Sequence, residues 1–354
     1  MNNCAGNAER PLDTASGVDG IPSTMADWHR ALRPYCIPSL SKSASQLLIS
    51  LSAFCSLMLL AHVGHAQHWA LGVPLSVMGG FLLVKLFIIQ HDCGHRSYFR
   101  SPRACDVVGH VLSVLTVTPY EFWRRDHDKH HATSGNLDRR GFGDINTLTV
   151  KEYQGLSFMA RLRYRIYRHP LTLFGIGPSW QFLVMHRLPS LQSGKNRWRI
   201  IQGVLLHDLA LGIFFGGLSL LLGWTSVAAV WLPAIITGAT IGVWLFYVQH
   251  AFDTTYWEKS SNWSFLEASL QGCSYYRLPR ALHWVTGNIG YHHIHHLCSR
   301  IPNYRLPQVF SDMPTLRQVR ELGIVESLGC VRLALWSEDS QRLVSFREAL
   351  RIPA

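Results

Sequence analysis

The sequence predicts an all-α integral membrane protein, with four transmembrane helices in two hairpins beneath a cytosolic helical cap. Three observations predict it. Hydrophobic residues make up 48% of the 354-residue chain and charged residues only 16%, well under the quarter usual for soluble domains. Four apolar runs are each long enough to cross a bilayer. The Lys/Arg-rich segments fall so that one side of the membrane can hold them all, as positive-inside bias favours.

Residues 1–42 read as a tail or interfacial entry segment, polar at first and without a signal-peptide pattern. The first span runs over about 43–64 ("SASQLLISLSAFCSLMLLAHVG") and the second over about 69–90 ("WALGVPLSVMGGFLLVKLFIIQ"). The few residues between them make a hairpin. Lys85 is near the end of the second run, and a lysine there can snorkel to an interface. The later pair covers about 200–224 and 226–249. Two shorter apolar stretches, 107–120 and 170–185, are marginal or too short to span. Residues 124–168 carry ten Lys/Arg against five Asp/Glu, and residues 187–199 carry four against none. A crossing at 170–185 would put one of these basic loops outside, so both short stretches read as re-entrant or interfacial helices. Both termini are then cytoplasmic, the main unit covers 43–310, and 311–354 form a cytosolic C-terminal helical tail.

Net charge is +11, but no zinc-finger spacing or basic-aromatic stripe accompanies it, so nucleic acid is not an expected partner. The eight cysteines contain no CxxC pair and read as thiols of a reducing compartment.

Nineteen histidines are the outstanding feature. "HDCGH" brings His91 and His95 to the point where the second span emerges. "HDKHH" places His127, His130 and His131 in the first cytosolic excursion. "QHAFD" places His250 at the end of the fourth span, and "HHIHH" places His292, His293, His295 and His296 in the tail. On a helix, positions i, i+3 and i+4 share a face. The three boxes therefore deliver eight imidazoles (His91, His95, His127, His130, His131, His292, His295, His296) to one membrane face. Zinc ordinarily takes four ligands, so eight or nine point to two metals with open positions, and imidazole suits iron, copper, nickel and zinc. His250 is either a ninth ligand or a satisfied interfacial histidine. Asn288, one turn before His292, is a ligand, direct or through water, or a cap or turn residue. Asp92 and Asp128 either orient ligand imidazoles or are solvated acids. His293 is the leftover of its box, better placed behind a ligand than as one. His62, His65 and His68 lie at the far membrane face and read as interfacial. His110, His169, His186, His207 and His283 read as structural, Asp208 as structural or cavity-lining, and Cys93 as no ligand.

These boxes resemble those of the membrane fatty acid desaturases. The surrounding "QHDCGHRSYFRSPRACDVVGH", "FYVQHAFDTTYW" and "TGNIGYHHIHHLCSRIPNYRLP" are similar to the bacterial acyl-lipid Δ12/ω-6 type, and the likeness covers roughly 45–310. The resemblance implies two non-haem iron ions, held by the eight box histidines plus His250. It implies a centre that uses dioxygen and two electrons to place a cis double bond in an acyl chain, lipid-linked rather than CoA-linked. It also implies a bacterial inner-membrane location. A bent apolar tunnel must bring the chain to the metals, with Tyr120, Phe122 and Trp123 in its wall. The sequence contains no HPGG haem motif and no Rossmann fingerprint, so electrons come from a separate donor, a ferredoxin or a cytochrome b5. The rival readings are a hydroxylase or carotenoid-modifying oxygenase with the same metals, and a zinc-binding receptor or metal transporter. A transporter would want ionisable groups through the bilayer midplane, whereas these histidines gather at span ends and beyond.

Overall fold

The computed structural model describes residues 22, 24–141, 143–188 and 197–352. Most of the expected N-terminal tail, residues 1–21 and 23, and residues 189–196 of the second basic loop lie outside the described residues.

The chain opens with α1 (Met25–Leu32), started by a capping box in which Thr24 and Asp27 satisfy each other's backbone N–H groups. A 3₁₀ turn, Arg33–Cys36, leads to α2 (Leu40–Gln67) and α3 (Trp69–Gly94). His68 alone separates these two, and its Nδ1 accepts from the Ala70 N–H, capping α3. Then come α4 (Pro102–Leu115), α5 (Tyr120–Thr133), the two-residue strand β1 (Leu148–Thr149), α6 (Val150–Gly155) and α7 (Phe158–Arg168). A π turn, Thr172–Ile176, runs into α8 (Gly177–Leu183). The remaining long helices are α9 (Arg197–Leu222) and α10 (Trp224–His250). Short elements follow: α11 (Phe265–Leu270), β2 (Tyr275–Tyr276), α12 (Arg280–Val285), α13 (His292–Leu297), α14 (Leu306–Asp312), β3 (Glu321–Leu322), α15 (Ile324–Gly329), β4 (Leu333–Ser337), β5 (Arg342–Ser345) and α16 (Phe346–Ala349).

Among the described residues, α2, α3, α9 and α10 are the helices long and apolar enough to cross a membrane. Small residues let three of them meet closely. A Cβ on Gly79 would lie 2.8 Å from Met58 Sδ, and one on Gly80 would lie 2.6 Å from Thr237 Cβ. Phe54 of α2 and Trp231 of α10 meet edge to face at 5.8 Å. By contrast α9 exposes Leu205, Leu206, Leu209, Ile213, Leu220 and Leu221, an apolar skin suited to lipid. At the ends of α2 and α10, His62 Nδ1 and Ser226 Oγ lie 3.1 Å apart.

The two shorter apolar stretches are too short to span. The first forms α4, with Cys105, Gly109 and Leu112 inward and Val107 and Val111 exposed. The second breaks into the π turn and α8, which leave Leu171, Ile176 and Trp180 exposed.

Three expectations are corrected. The protein is mostly helical, not all-α. Residues 311–352 are not helical throughout: beside α15 and α16 they supply β3, β4 and β5. Strand β4 pairs antiparallel with β5 and parallel with β1, and β3 pairs parallel with β2. Lys85 does not snorkel. It is 1% exposed, donates from Nζ to the Trp284 carbonyl at 2.6 Å and lies 5.2 Å from that indole ring. A buried ammonium left unpaired is costly, and the α12 terminus supplies its acceptor.

The turn after α12 locks onto α3. Gly287 has φ of +56°, and a Cβ there would come within 2.5 Å of Ile88 Cγ2. Gly287→Ala combines backbone strain with a clash and should destabilise the fold by about 1–3 kcal/mol. A matching fall in the detergent-solubilised protein's denaturation midpoint checks this.

Candidate metal centre

Each box lies on an element that fixes its direction. His91 is in the last turn of α3 and His95 is its C-cap. His127, His130 and His131 lie on α5, His250 ends α10, and His292, His295 and His296 lie on α13. The structure gathers these nine side chains into two groups. The first holds His91, His95, His127, His131 and His295. The second holds His130, His250, His292 and His296. Within each group the offered ring nitrogens lie within 4.8 Å of one another. The i, i+3, i+4 spacing splits α5 between the groups, since His127 and His131 face one and His130 the other. On α13, His292 and His296 serve the second group and His295 the first. Where the groups adjoin, the rings of His131 and His296 stack at 4.1 Å.

The donor set fits metal. Nε2 atoms face each other at 3.1 Å (His127, His131), 3.0 Å (His131, His295), 3.2 Å (His130, His250) and 2.9 Å (His250, His292). Two nitrogens bound to one ion at about 2.1 Å and a right angle would stand about 3.0 Å apart. The Nε2 atoms of His95 and His296 are buried with no hydrogen-bond partner among the described residues, a costly arrangement unless something binds them. Burial, with repulsion from neighbouring imidazoles, pushes His95, His127, His131, His292, His295 and His296 well below the usual histidine range. They are neutral, the form that ligates. Neither group contains a carboxylate, and an all-imidazole set suits iron, copper, nickel or zinc.

The second ring nitrogens of His91, His250 and His130 are held as well. Asp92 Oδ1 lies 3.2 Å from His91 Nδ1, while its Oδ2 accepts from the Asn303 backbone N–H at 2.7 Å and from Asn303 Nδ2 at 2.8 Å. His250 Nδ1 donates to the Gly272 carbonyl at 3.1 Å. Asp144 Oδ1 makes a short hydrogen bond with His130 Nδ1. Asp144 and the Gly272 carbonyl were not legible in the sequence. One lies in a loop with no fixed spacing to any box, and the other is a backbone atom.

Asp128 lies exposed on α5, outside both groups. His293 is fully buried, also outside them, with its ring near Tyr275 and Phe310. Asn288 has φ of +57° and donates from Nδ2 to the Asn303 carbonyl at 3.2 Å. Cys93 is buried and belongs to neither group. Asp208 is paired, accepting from Arg187 Nη1 at 2.8 Å.

A cavity of about 1050 Å³ adjoins both groups. His91, His127 and His292 lie in its wall, which continues over Leu83, Phe87, Ile235, Gly242 and Phe246. Phe122 and Trp123 line it as expected, and Trp123 stacks on His127 at 4.6 Å. Tyr120 does not line it: its ring fills the space beside Gly109, where a Cβ would lie 2.3 Å from the ring. His186, read as structural, does line the cavity, and burial followed by the Arg187 charge pushes it down to about 3. The wall reaches the exposed residues Gln181, Met185 and Leu188.

Four helices apolar enough to span a membrane, two imidazole groups able to hold metal and a largely apolar cavity beside them define the class: a membrane protein with a histidine-rich site open to an apolar space. Comparison with known proteins makes it specific. The fatty acid desaturase family model matches residues 67–323, and the chain belongs to this family of oxidoreductases. It is 40% identical to a Bacillus subtilis (strain 168) fatty acid desaturase over 316 residues, 89% of each chain. It is 25% identical to the sn-1 acyl-lipid omega-3 desaturase (ferredoxin) of Nostoc sp. (strain 36), covering 83% of this chain and 81% of that one. It is 27% identical to the sn-1 oleoyl-lipid 12-desaturase of Synechocystis sp., covering 66% of each.

Proposed function

We propose that this desaturase is a di-iron enzyme that inserts a cis double bond into a lipid-linked acyl chain, using dioxygen and two electrons from a separate donor. The observation that carries the reading is the pair of all-imidazole groups in the wall of one apolar cavity. His91, His95, His127, His131 and His295 would hold one iron, and His130, His250, His292 and His296 the other. Once bound, the irons supply dioxygen activation and hydrogen removal from an unactivated methylene, which no side-chain acid or base can do. The chain does the rest. Asp92, Asp144 and the Gly272 carbonyl fix ring tautomers and directions. Phe122, Trp123 and the apolar wall of α3 and α10 hold the acyl chain against the histidines and keep water out.

The two helix pairs insert as hairpins, with both termini and the basic loops on the cytoplasmic side of the bacterial inner membrane, as loop charge favours. The donor is a ferredoxin: the Nostoc relative's name specifies one, and an acidic carrier suits a chain of net charge +11. Expression in a host lacking polyunsaturated lipids, with mapping of new double bonds and iron analysis of the purified protein, tests the reading. New cis double bonds with about two irons per chain are expected. A hydroxylated product, or one zinc and no oxygen uptake, would overturn it.

Gly242 gives a test of the cavity. It lies in the wall, and a Cβ there meets nothing within 4 Å. Gly242→Leu would put its side chain into the acyl space. Turnover of the longest accepted chain should fall at least about tenfold while shorter chains are spared, as gas chromatography of the products would show.

A further inference from the structure

The N-terminal segment lies against the third histidine box. Trp28 and Leu32 of α1 pack with Ile294 and Leu297 of α13 and with Ile301, Leu306 and Val309 beyond it. Tyr35 Oη donates to Asp312 Oδ2 at 2.8 Å, and Tyr304 Oη accepts from the Ser39 N–H at 2.8 Å. At this seam two thiols meet. Cys36, the last residue of the 3₁₀ turn, places its Sγ 3.5 Å from the Sγ of Cys298, the C-cap of α13, 262 residues away. Both are partly exposed.

We infer that Cys36 and Cys298 are a redox-modifiable pair, closed to a disulfide by peroxide and reopened by thiols, which staples the N-terminal segment to the helix carrying His292, His295 and His296. The distance supports this. Closing 3.5 Å to a bonded 2.05 Å needs about 1.5 Å of approach, and one partner lies on a short turn near the start of the described chain. The surroundings support it too. The Cys36 thiol is held below its ordinary range by the hydrogen bond with Cys298, then by the Arg300 and Arg305 charges, and an electropositive, partly exposed setting marks reactive thiols. In a reducing compartment such a bond is a transient, sensing one.

The step balances. The Cys36 thiolate attacks one peroxide oxygen and the O–O bond breaks, giving a sulfenic acid and, after protonation, water. The Cys298 thiol then displaces a second water as the S–S bond forms. Two thiols lose two electrons, and one hydrogen peroxide takes them up as two waters. This inference is independent of the proposed substrate and metals.

The chain contains its own control. Cys93 and Cys105 also interact, but both are fully buried, so peroxide should not reach them in the folded protein. The purified full-length protein in detergent is titrated with hydrogen peroxide, and remaining thiols and proteolytic peptides are followed by mass spectrometry. We expect a cross-linked peptide joining Cys36 to Cys298, loss of two thiols per chain, and full reversal by dithiothreitol. Cys36→Ser should abolish the cross-link, and Cys298→Ser should do the same from the other side. The Cys36 change lies outside the histidine boxes, so it keeps the test open should the Cys298 variant fail to fold. Sulfinic acid at Cys36 without a cross-link, or Cys93–Cys105 closing first, would overturn the proposal.

Discussion

The His131→Ala variant should show no measurable desaturation and should bind less metal than wild type at both groups. His131 has the shortest ring-to-ring stack between the two groups among the described residues. Its Nε2 faces those of His127 and His295 at 3.1 and 3.0 Å, and its ring stacks on His296 of the second group at 4.1 Å. Removing it opens the first group and takes away the ring that positions a member of the second. Loss of an orienting partner alone costs about 10–100-fold in metal affinity or activity, so loss of a ligand that also orients another should exceed that. Elemental analysis of the purified variant, alongside product analysis from expressing cells, checks it. Wild-type metal content with wild-type product would overturn the ligand assignment. A folded variant with metal in one group would show instead that the groups fill separately.

The second large effect is expected at Asp144, which touches no metal in the proposed scheme. Its carboxylate holds His130 Nδ1, so the other ring nitrogen points toward His250, 3.2 Å away. Asp144→Ala frees that ring and should lower metal affinity at the second group, or activity, by about 10–100-fold. Asp144→Asn keeps an oxygen acceptor at nearly the same place and should recover part of the loss. A purely structural role would not distinguish the two through metal affinity, measured by competition with a chelator. Equal affinity in wild type and both variants would sink the positioning role.

The contrast between these two residues shows what was legible. His131 announces itself through the HxxHH spacing, because helical geometry converts sequence separation directly into a shared face. The four spans were legible for a similar reason, since bilayer thickness demands a long uncharged run. The structure extends them by a few residues at most ends, as from 43–64 to Leu40–Gln67. Asp144 has no such rule. It reaches His130 because the loop ahead of β1 is drawn back over α5, and β1 is itself held by parallel pairing of Leu148 with Leu335 and Thr149 with Trp336. A two-residue strand whose partner lies nearly two hundred residues away leaves no periodic trace. The same non-local pairing made residues 311–354 unreadable as sheet. Lys85 was misread because its acceptor, the Trp284 carbonyl, is a backbone atom brought up by the distant helix α12.

The division of α5 and α13 between the two histidine groups has a thermodynamic consequence. In the proposed scheme each of these short helices donates ligands to both ions, so binding either ion would fix helix positions and side chains that the other needs. The conformational entropy lost on binding the first ion is then not lost again on binding the second. Metal uptake in that scheme would be a linked equilibrium favouring the empty and doubly loaded forms over the singly loaded one. Were two metals needed in one turnover, the fold itself would thereby limit the population of half-assembled protein.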